Sequence, residues 1–337
     1  MTIMSSRHSL DRYRYLLIAL PLAFACRDGD FAAAADETSL SASTDETLPA
    51  STNELPLPDL TSAKIPGGAG LGLTVYEGGN KSEPPVVFIH GFTGSYLSWQ
   101  PQLSGSIAAQ FRVVAYDLRG HGASDKPLDP ASYTEGSLWA DDLAAVIRAK
   151  HLDRPVIVGW SYGGYVISDY LRQYGDGAIG GLVFLGAVTK NGTPEAAGFL
   201  TDEALAVFGD VFSADVQKSI DGTRALTRMF ASPLRGTLWE RAYGSAMMVP
   251  PTVRASMFNR VLDNDDVLAR IRVPTLVIHG ADDRVVRVSA ANHIAATVPG
   301  AKLLVYDHVG HAVQIDAPQR FDHDLAEFVR ATRRNQH

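Results

Sequence analysis

Gly159-Trp160-Ser161-Tyr162-Gly163 sets a serine between two glycines, directly after the apolar run Val156-Ile157-Val158 and before a helical run containing Tyr165, Val166, Tyr170 and Leu171. That is the strand–turn–helix setting of a nucleophile elbow. The tight turn strains the serine backbone, and larger side chains two residues either way would collide with the flanking strand and helix. The strain lifts the Ser161 hydroxyl clear of the sheet. Serine at its ordinary pKa is a weak nucleophile, so it needs a base to take its proton and a carboxylate to hold that base in one tautomer. Attack on a carbonyl also needs donors for the developing oxyanion, and the backbone N–H of Tyr162, next after the serine, is one candidate. The chemistry on offer is nucleophilic acyl transfer.

Positioning such groups requires a rigid frame. Val86–Ile89, Val113–Tyr116, Val156–Val158, Leu182–Leu185 and Thr275–Ile278 are short apolar runs, mostly rich in β-branched residues and bounded by Gly, Pro or charge. They read as strands buried on both faces of a parallel sheet, and Leu303–Tyr306 is a further candidate. Helical patterns lie between them, as at Leu138 to Lys150 with apolar Leu138, Leu143, Ala144, Val146 and Ile147. The alternation predicts a doubly wound, mostly parallel α/β sheet, which carries its sites at the carboxyl ends of the strands. It breaks between residues 190 and 268, where the pattern is helical throughout and Phe199, Phe208, Phe212, Met229, Phe230, Trp239, Met247 and Met248 are scattered. This segment is expected to be a helical cap over the strand ends. Its aromatic and methionine side chains suit either its own small core or an adaptable apolar substrate pocket, for which Trp160, Phe230, Trp239 and Met247 are candidates.

The motifs resemble the α/β-hydrolase family, in the branch with a helical cap inserted between the sixth and seventh core strands. In order they are His90-Gly91-Phe92, Asp117-Leu-Arg-Gly-His-Gly-Ala-Ser124, the elbow at Ser161, Gly280-Ala-Asp-Asp283 and Gly310-His311. The resemblance spans about residues 70–335. It implies a base at His311, since the family's Gly-His pair matches that position and not the neighbouring His308. It implies an acid three residues beyond Gly280, which is Asp283, with Asp282 as the adjacent alternative. The second oxyanion donor would be the N–H of Phe92, with Gly91 and Gly94 letting the loop approach the substrate. His90 and the Asp117–Ser124 stretch would brace loops. The dehalogenase and epoxide-hydrolase branches carry an aspartate nucleophile where this chain has Ser161, so the resemblance does not extend to their chemistry.

The chain has 337 residues, 46% hydrophobic and 20% charged, with net charge −7 and one cysteine. One cysteine excludes an internal disulfide framework and a multi-cysteine zinc site. A mild acid excess argues against nucleic acid as the main partner. The charge is uneven, because residues 27–60 by themselves carry −7 and the folded body is nearly neutral. Residues 1–25 show a basic start (Arg7, Arg12, Arg14), an apolar run from Leu16 to Ala25 and the small-x-small Ala23-Phe24-Ala25. They read as a secretion signal, too short in its apolar run to span a membrane. Cys26 follows at once, in a pattern that resembles a bacterial lipoprotein signal, although Ala23 stands where that signal prefers leucine. Residues 26–62, acidic and poor in large apolar side chains, read as a disordered tether.

Together these readings predict a 63–189 and 269–337 core, a 190–268 cap, and an extracytoplasmic serine hydrolase, lipid-anchored or free. It would cleave a small carboxylic ester with an apolar part through an acyl-enzyme. No cofactor and no metal are required; His151, His279, His293 and His323 show no paired ligand spacing, and Gly67–Gly72 lacks a phosphate-loop or dinucleotide pattern. Alternatives are the same triad in perhydrolysis, carbon–carbon bond hydrolysis or acyl transfer, or a non-catalytic ligand-binding lipoprotein on this fold.

Overall fold

A computed structural model describes residues 59–231 and 235–334. The signal reading of residues 1–25, Cys26 and the tether as far as residue 58 lie outside the described residues.

The frame is an eight-stranded sheet. Its strands are β1 (Thr61–Pro66), β2 (Gly72–Gly79), β3 (Pro85–Ile89), β4 (Arg112–Tyr116), β5 (Val156–Trp160), β6 (Gly181–Leu185), β9 (Thr275–Gly280) and β10 (Lys302–Tyr306). Two short strands, β7 (Lys190–Asn191) and β8 (Leu262–Asp263), pair with each other outside it. The sheet order is β1-β2-β4-β3-β5-β6-β9-β10, with β1–β2 and β2–β4 antiparallel and every other pair parallel. Strands β3, β5, β6 and β9 are buried along their whole length, so both faces of the sheet centre are covered. That double cover is why they read as unbroken apolar runs.

Each of the six expected runs is a strand, and the helix expected at Leu138–Lys150 is Gly136–Ala149. The two antiparallel strands at the sheet edge are additional. β1 starts at Thr61, inside the segment whose composition predicted a tether ending at residue 62, and that expectation is corrected there. Five of its six residues are exposed, so it carries little apolar signal. Gly67–Gly72 supplies the tight connection to β2, closed by the Gly67 N–H donating to the Leu71 carbonyl at 2.7 Å.

Between β6 and β9 the chain forms helices Pro194–Ala197, Asp202–Val211, Val216–Thr227, Gly236–Met247, Pro251–Phe258 and Asp265–Leu268, with the β7–β8 pair at the base. Thr193, Thr201 and Asp215 cap three of them by accepting the N–H three residues on. The segment is held together by Arg254. Its fully buried guanidinium donates to the Val211 and Ala246 carbonyls and to the Ser219 and Thr223 hydroxyls, at 2.6–3.3 Å. Burial pushes its pKa down to about 10. One side chain thus ties the helices 202–211, 216–227 and 236–247 to its own.

Candidate active site

Ser161 stands at the carboxyl end of β5, where the strand turns directly into the helix Gly163–Tyr174. Its φ of 54° lies in the left-handed region, a strained conformation for a non-glycine residue. The turn is pinned by the Ser161 N–H on the Leu185 carbonyl at 2.9 Å and by the Gly164 N–H on the Ser161 carbonyl at 3.0 Å. At Gly159 a Cβ would sit 2.6 Å from Ile167 Cδ1 and 2.8 Å from the Gly163 carbonyl. No larger residue fits there. At Gly91 a Cβ would lie 3.0 Å from the Ser161 Cβ and 3.1 Å from Trp160 Cε3, a tight approach that glycine relieves where the loop after β3 passes the serine.

His311 follows β10, and its Nδ1 lies 2.7 Å from Asp283 Oδ2. Both side chains are almost fully buried. Asp283 Oδ1 accepts the N–H groups of Val285 and Val286, each at 2.8 Å. Asp282, the neighbouring carboxylate, is exposed and faces only His308 at 3.8 Å, and His308 itself is 95% exposed. The structure therefore brings together Asp283 and His311 and leaves Asp282 and His308 at the surface. The His311 Nε2, on the far side of the ring from Asp283, is buried and has no hydrogen-bond partner among the described residues.

A second imidazole, absent from the sequence reading of the site, touches the same carboxylate. His279 Nε2 lies 3.1 Å from Asp283 Oδ2 and 2.9 Å from the Val286 carbonyl, and the side chain is fully buried. Burial alone would push the Asp283 carboxyl up, but the His311 charge and the hydrogen bonds from His279 and His311 hold it well below the usual carboxylate range. The only available signal was position. His279 is the penultimate residue of β9, four residues before Asp283, and such a spacing acquires meaning only once the turn after the strand is known.

The backbone N–H groups of Phe92 and Tyr162 have no backbone acceptor among the described residues. The loop that carries Phe92 is braced as expected. His90 Nε2 accepts the Leu118 N–H at 3.0 Å, so Nδ1 carries the proton and donates to the Gly91 carbonyl at 2.8 Å. Asp117 accepts the N–H groups of Tyr96 and Ala123, each at 2.8 Å.

His90 and His121 are both fully buried, with ring centres 5.0 Å apart, and burial pushes both pKa values below the ordinary 6.5. In the unfolded chain both take up a proton below about 6.5, so the unfolded state binds more protons and stability is lost as pH falls through that value. Each such proton is worth about 1.4 kcal/mol per pH unit. The melting temperature is therefore expected to be steady from pH 8 to 7 and to fall by several degrees from pH 6.5 to 5. A flat profile over that range would mean that neither ring has to stay neutral.

Ser161, Tyr162, Phe92, Trp160, Phe230 and His311 line one chamber at the strand ends. Its other walls are mostly apolar, with Tyr165, Val188, Val285 and Val286 from the core and Leu200, Phe208, Leu226 and Phe258 from the helical segment. Of the four pocket candidates, Trp160 and Phe230 are in place. Their rings meet edge to face at 5.5 Å, and the Trp160 Nε1–H donates to the His311 carbonyl at 3.0 Å. Trp239 and Met247 are not in the chamber, which corrects the sequence reading. The helix Gly236–Met247 turns Leu238, Arg241, Ala242 and Ser245 inward, a spacing of three, four and seven. Trp239 is left to stack on Tyr243 at 5.4 Å beneath Arg228, and Met247 Sδ lies 4.0 Å from the Arg254 guanidinium. Phe212 packs from the helical segment on Phe92 and Phe258, which line the chamber.

The chain and its fold are matched by known proteins. The chain is 32% identical to an esterase, RhEst1 from Rhodococcus sp. ECU1013, whose crystal structure superposes with a TM-score of 0.77 over 80% of this chain and 99% of that one. It is 27% identical over 257 residues to the non-heme chloroperoxidase CPO-A1 of Kitasatospora aureofaciens, covering 73% of this chain and 92% of the relative. A non-heme chloroperoxidase of Streptomyces lividans is 29% identical over 259 residues, with the same coverage of both proteins. The model of the alpha/beta hydrolase family matches residues 86–323, and with the elbow, the sheet order and these relatives the chain belongs to that family of enzymes.

Proposed function

We propose that this enzyme cleaves carboxylic esters through an acyl-enzyme on Ser161. The observation that carries the reading is the 2.7 Å contact of His311 Nδ1 with Asp283, which leaves His311 Nε2 unpartnered in the chamber that Ser161 lines. Asp283 fixes the ring so that Nε2 is the basic nitrogen. Ser161 Oγ attacks the ester carbonyl while Nε2 takes its proton, and the Phe92 and Tyr162 N–H groups hold the oxyanion. The C–O bond to the alcohol breaks as the imidazolium returns that proton to the departing oxygen. Water then attacks the acyl-enzyme with Nε2 again as base, which releases the acid and restores Ser161. Hydrogen bonds in such sites tighten when substrate arrives, so the free Nε2 suits a resting enzyme. The aromatic and branched walls favour an apolar substituent next to the reacting carbonyl.

A panel of p-nitrophenyl esters from acetate to octanoate tests the reading: nitrophenol release should show a chain-length optimum in kcat/KM. No turnover on any member would overturn it. The likeness to non-heme chloroperoxidases supports a second use of the same acyl-enzyme, in which hydrogen peroxide replaces water as the attacking nucleophile and a peracid is formed. Peracid accumulating when peroxide is added to the same assay would support that use.

A further inference from the structure

A second cavity shares Trp160 and Phe230 with the chamber but is lined by neither Ser161 nor His311. It begins one residue from the reacting groups, at Thr93 after Phe92 and at Ala312 after His311, and is roofed by the inward face of the helix Gly236–Met247. Leu238 and Ile315 at its other end also line an open surface groove, so groove, cavity and chamber lie in series. The walls are mostly apolar, with three long polar side chains among them. Arg241 donates through Nη1 to the Gln100 side-chain oxygen, and no salt bridge joins Arg241 to a carboxylate among the described residues. Gln314 is fully buried, its Oε1 has no hydrogen-bond partner among the described residues, and its Nε2 reaches the Ser98 carbonyl only at 3.5 Å. A half-turn of that amide presents two N–H donors to the cavity instead.

An arginine that no carboxylate pairs among the described residues, facing apolar walls beside a buried amide, is a receptor for a planar anion. The guanidinium fork matches a carboxylate, and removal from water strengthens the contact. We infer that this cavity is a subsite for a carboxylate carried by the substrate, held by Arg241 and Gln314. The substrate class would then be an anionic ester: a monoester of a dicarboxylic acid, or an ester whose alcohol part bears a carboxylate. This rests on the ester-hydrolase reading of Ser161 and deepens it. Arg241 is a specificity residue in it and takes no part in bond making.

Two substrate pairs test it. p-Nitrophenyl hemiglutarate against p-nitrophenyl valerate places the charge on the acyl side, and 4-acetoxybenzoate against phenyl acetate places it on the leaving group. Wild type should favour the anionic member of one pair. In Arg241→Met the ratio of kcat/KM, anionic over neutral, should drop in that pair by about 10- to 100-fold. Most of the loss should fall in KM, and Arg241→Lys should recover part of it. The neutral ester in each ratio corrects for any general damage to the fold. An unchanged ratio in both pairs would overturn the subsite while leaving the ester-hydrolase reading intact. If no ester at all is turned over, that reading fails on its own, and calorimetry of both anionic esters, p-nitrophenyl hemiglutarate and 4-acetoxybenzoate, on Ser161→Ala, with and without Arg241→Met, still decides the subsite. Binding of either that needs Arg241 supports it; binding of both unchanged by Arg241→Met, or of neither, overturns it.

Discussion

Ser161→Ala is expected to lower kcat for ester hydrolysis by at least about 10⁴-fold and to abolish covalent labelling by a fluorophosphonate. The fold should survive. The substitution removes one oxygen from a buried turn held by backbone hydrogen bonds, Ser161 N–H to Leu185 and Gly164 N–H to Ser161. The φ of 54° at this residue already disfavours any side chain, and alanine meets the same penalty as serine. Melting temperature and oligomeric behaviour should therefore match wild type, which isolates the chemical loss. Residual hydrolysis above the water rate is expected, because the chamber and the Phe92 and Tyr162 N–H groups still bind and polarise a carbonyl. Intact mass after probe treatment gives the clearest reading. An adduct of unchanged yield on Ser161→Ala would show that another residue is the nucleophile.

Asp283→Asn should cost about 10⁴-fold in kcat, the effect expected when a triad carboxylate loses its charge but keeps its shape. The amide can present its N–H to His311 Nδ1, which selects the tautomer with the proton on Nε2 and so blocks the base. A charged Asp283 forces the opposite tautomer and stabilises the imidazolium formed during attack. The site makes this loss hard to evade, since Oδ1 is held by the Val285 and Val286 N–H groups and Oδ2 lies against His279 as well as His311. Asp282→Asn and His308→Ala should each leave activity within about twofold of wild type, as expected for exposed surface groups. Initial rates on one reactive ester across the set are sufficient. A large loss in Asp282→Asn with little in Asp283→Asn would reassign the acid.

The sequence reached far into this fold because the central strands and the elbow are governed by local rules. Val86–Ile89 and Leu182–Leu185 are apolar throughout since both faces of the sheet are covered, and a covered strand leaves no other composition open to it. The elbow was legible because Gly159 and Gly163 answer to steric clashes within a few residues of Ser161. β1 was not legible, since an edge strand with five exposed residues keeps almost no apolar pattern. Trp239 and Met247 were misplaced because the inward face of the helix Gly236–Met247 is set by what the helix packs on. Arg241 went unnoticed for the same reason: a lone arginine on an amphipathic helix ordinarily faces water.

The amino-acid sequence by itself determined the family, the strand order along the chain, the serine on its turn and the identity of the residues that could serve it. These follow from periodicity and from close contacts between near neighbours. Only the tertiary structure set Asp283 against His311 and left Asp282 at the surface, brought His279 onto the same carboxylate, and arranged Trp160 and Phe230 as a wall between two cavities. Those outcomes depend on distances between segments far apart in the chain, and on which face each helix presents once packed. Neither is encoded in local spacing.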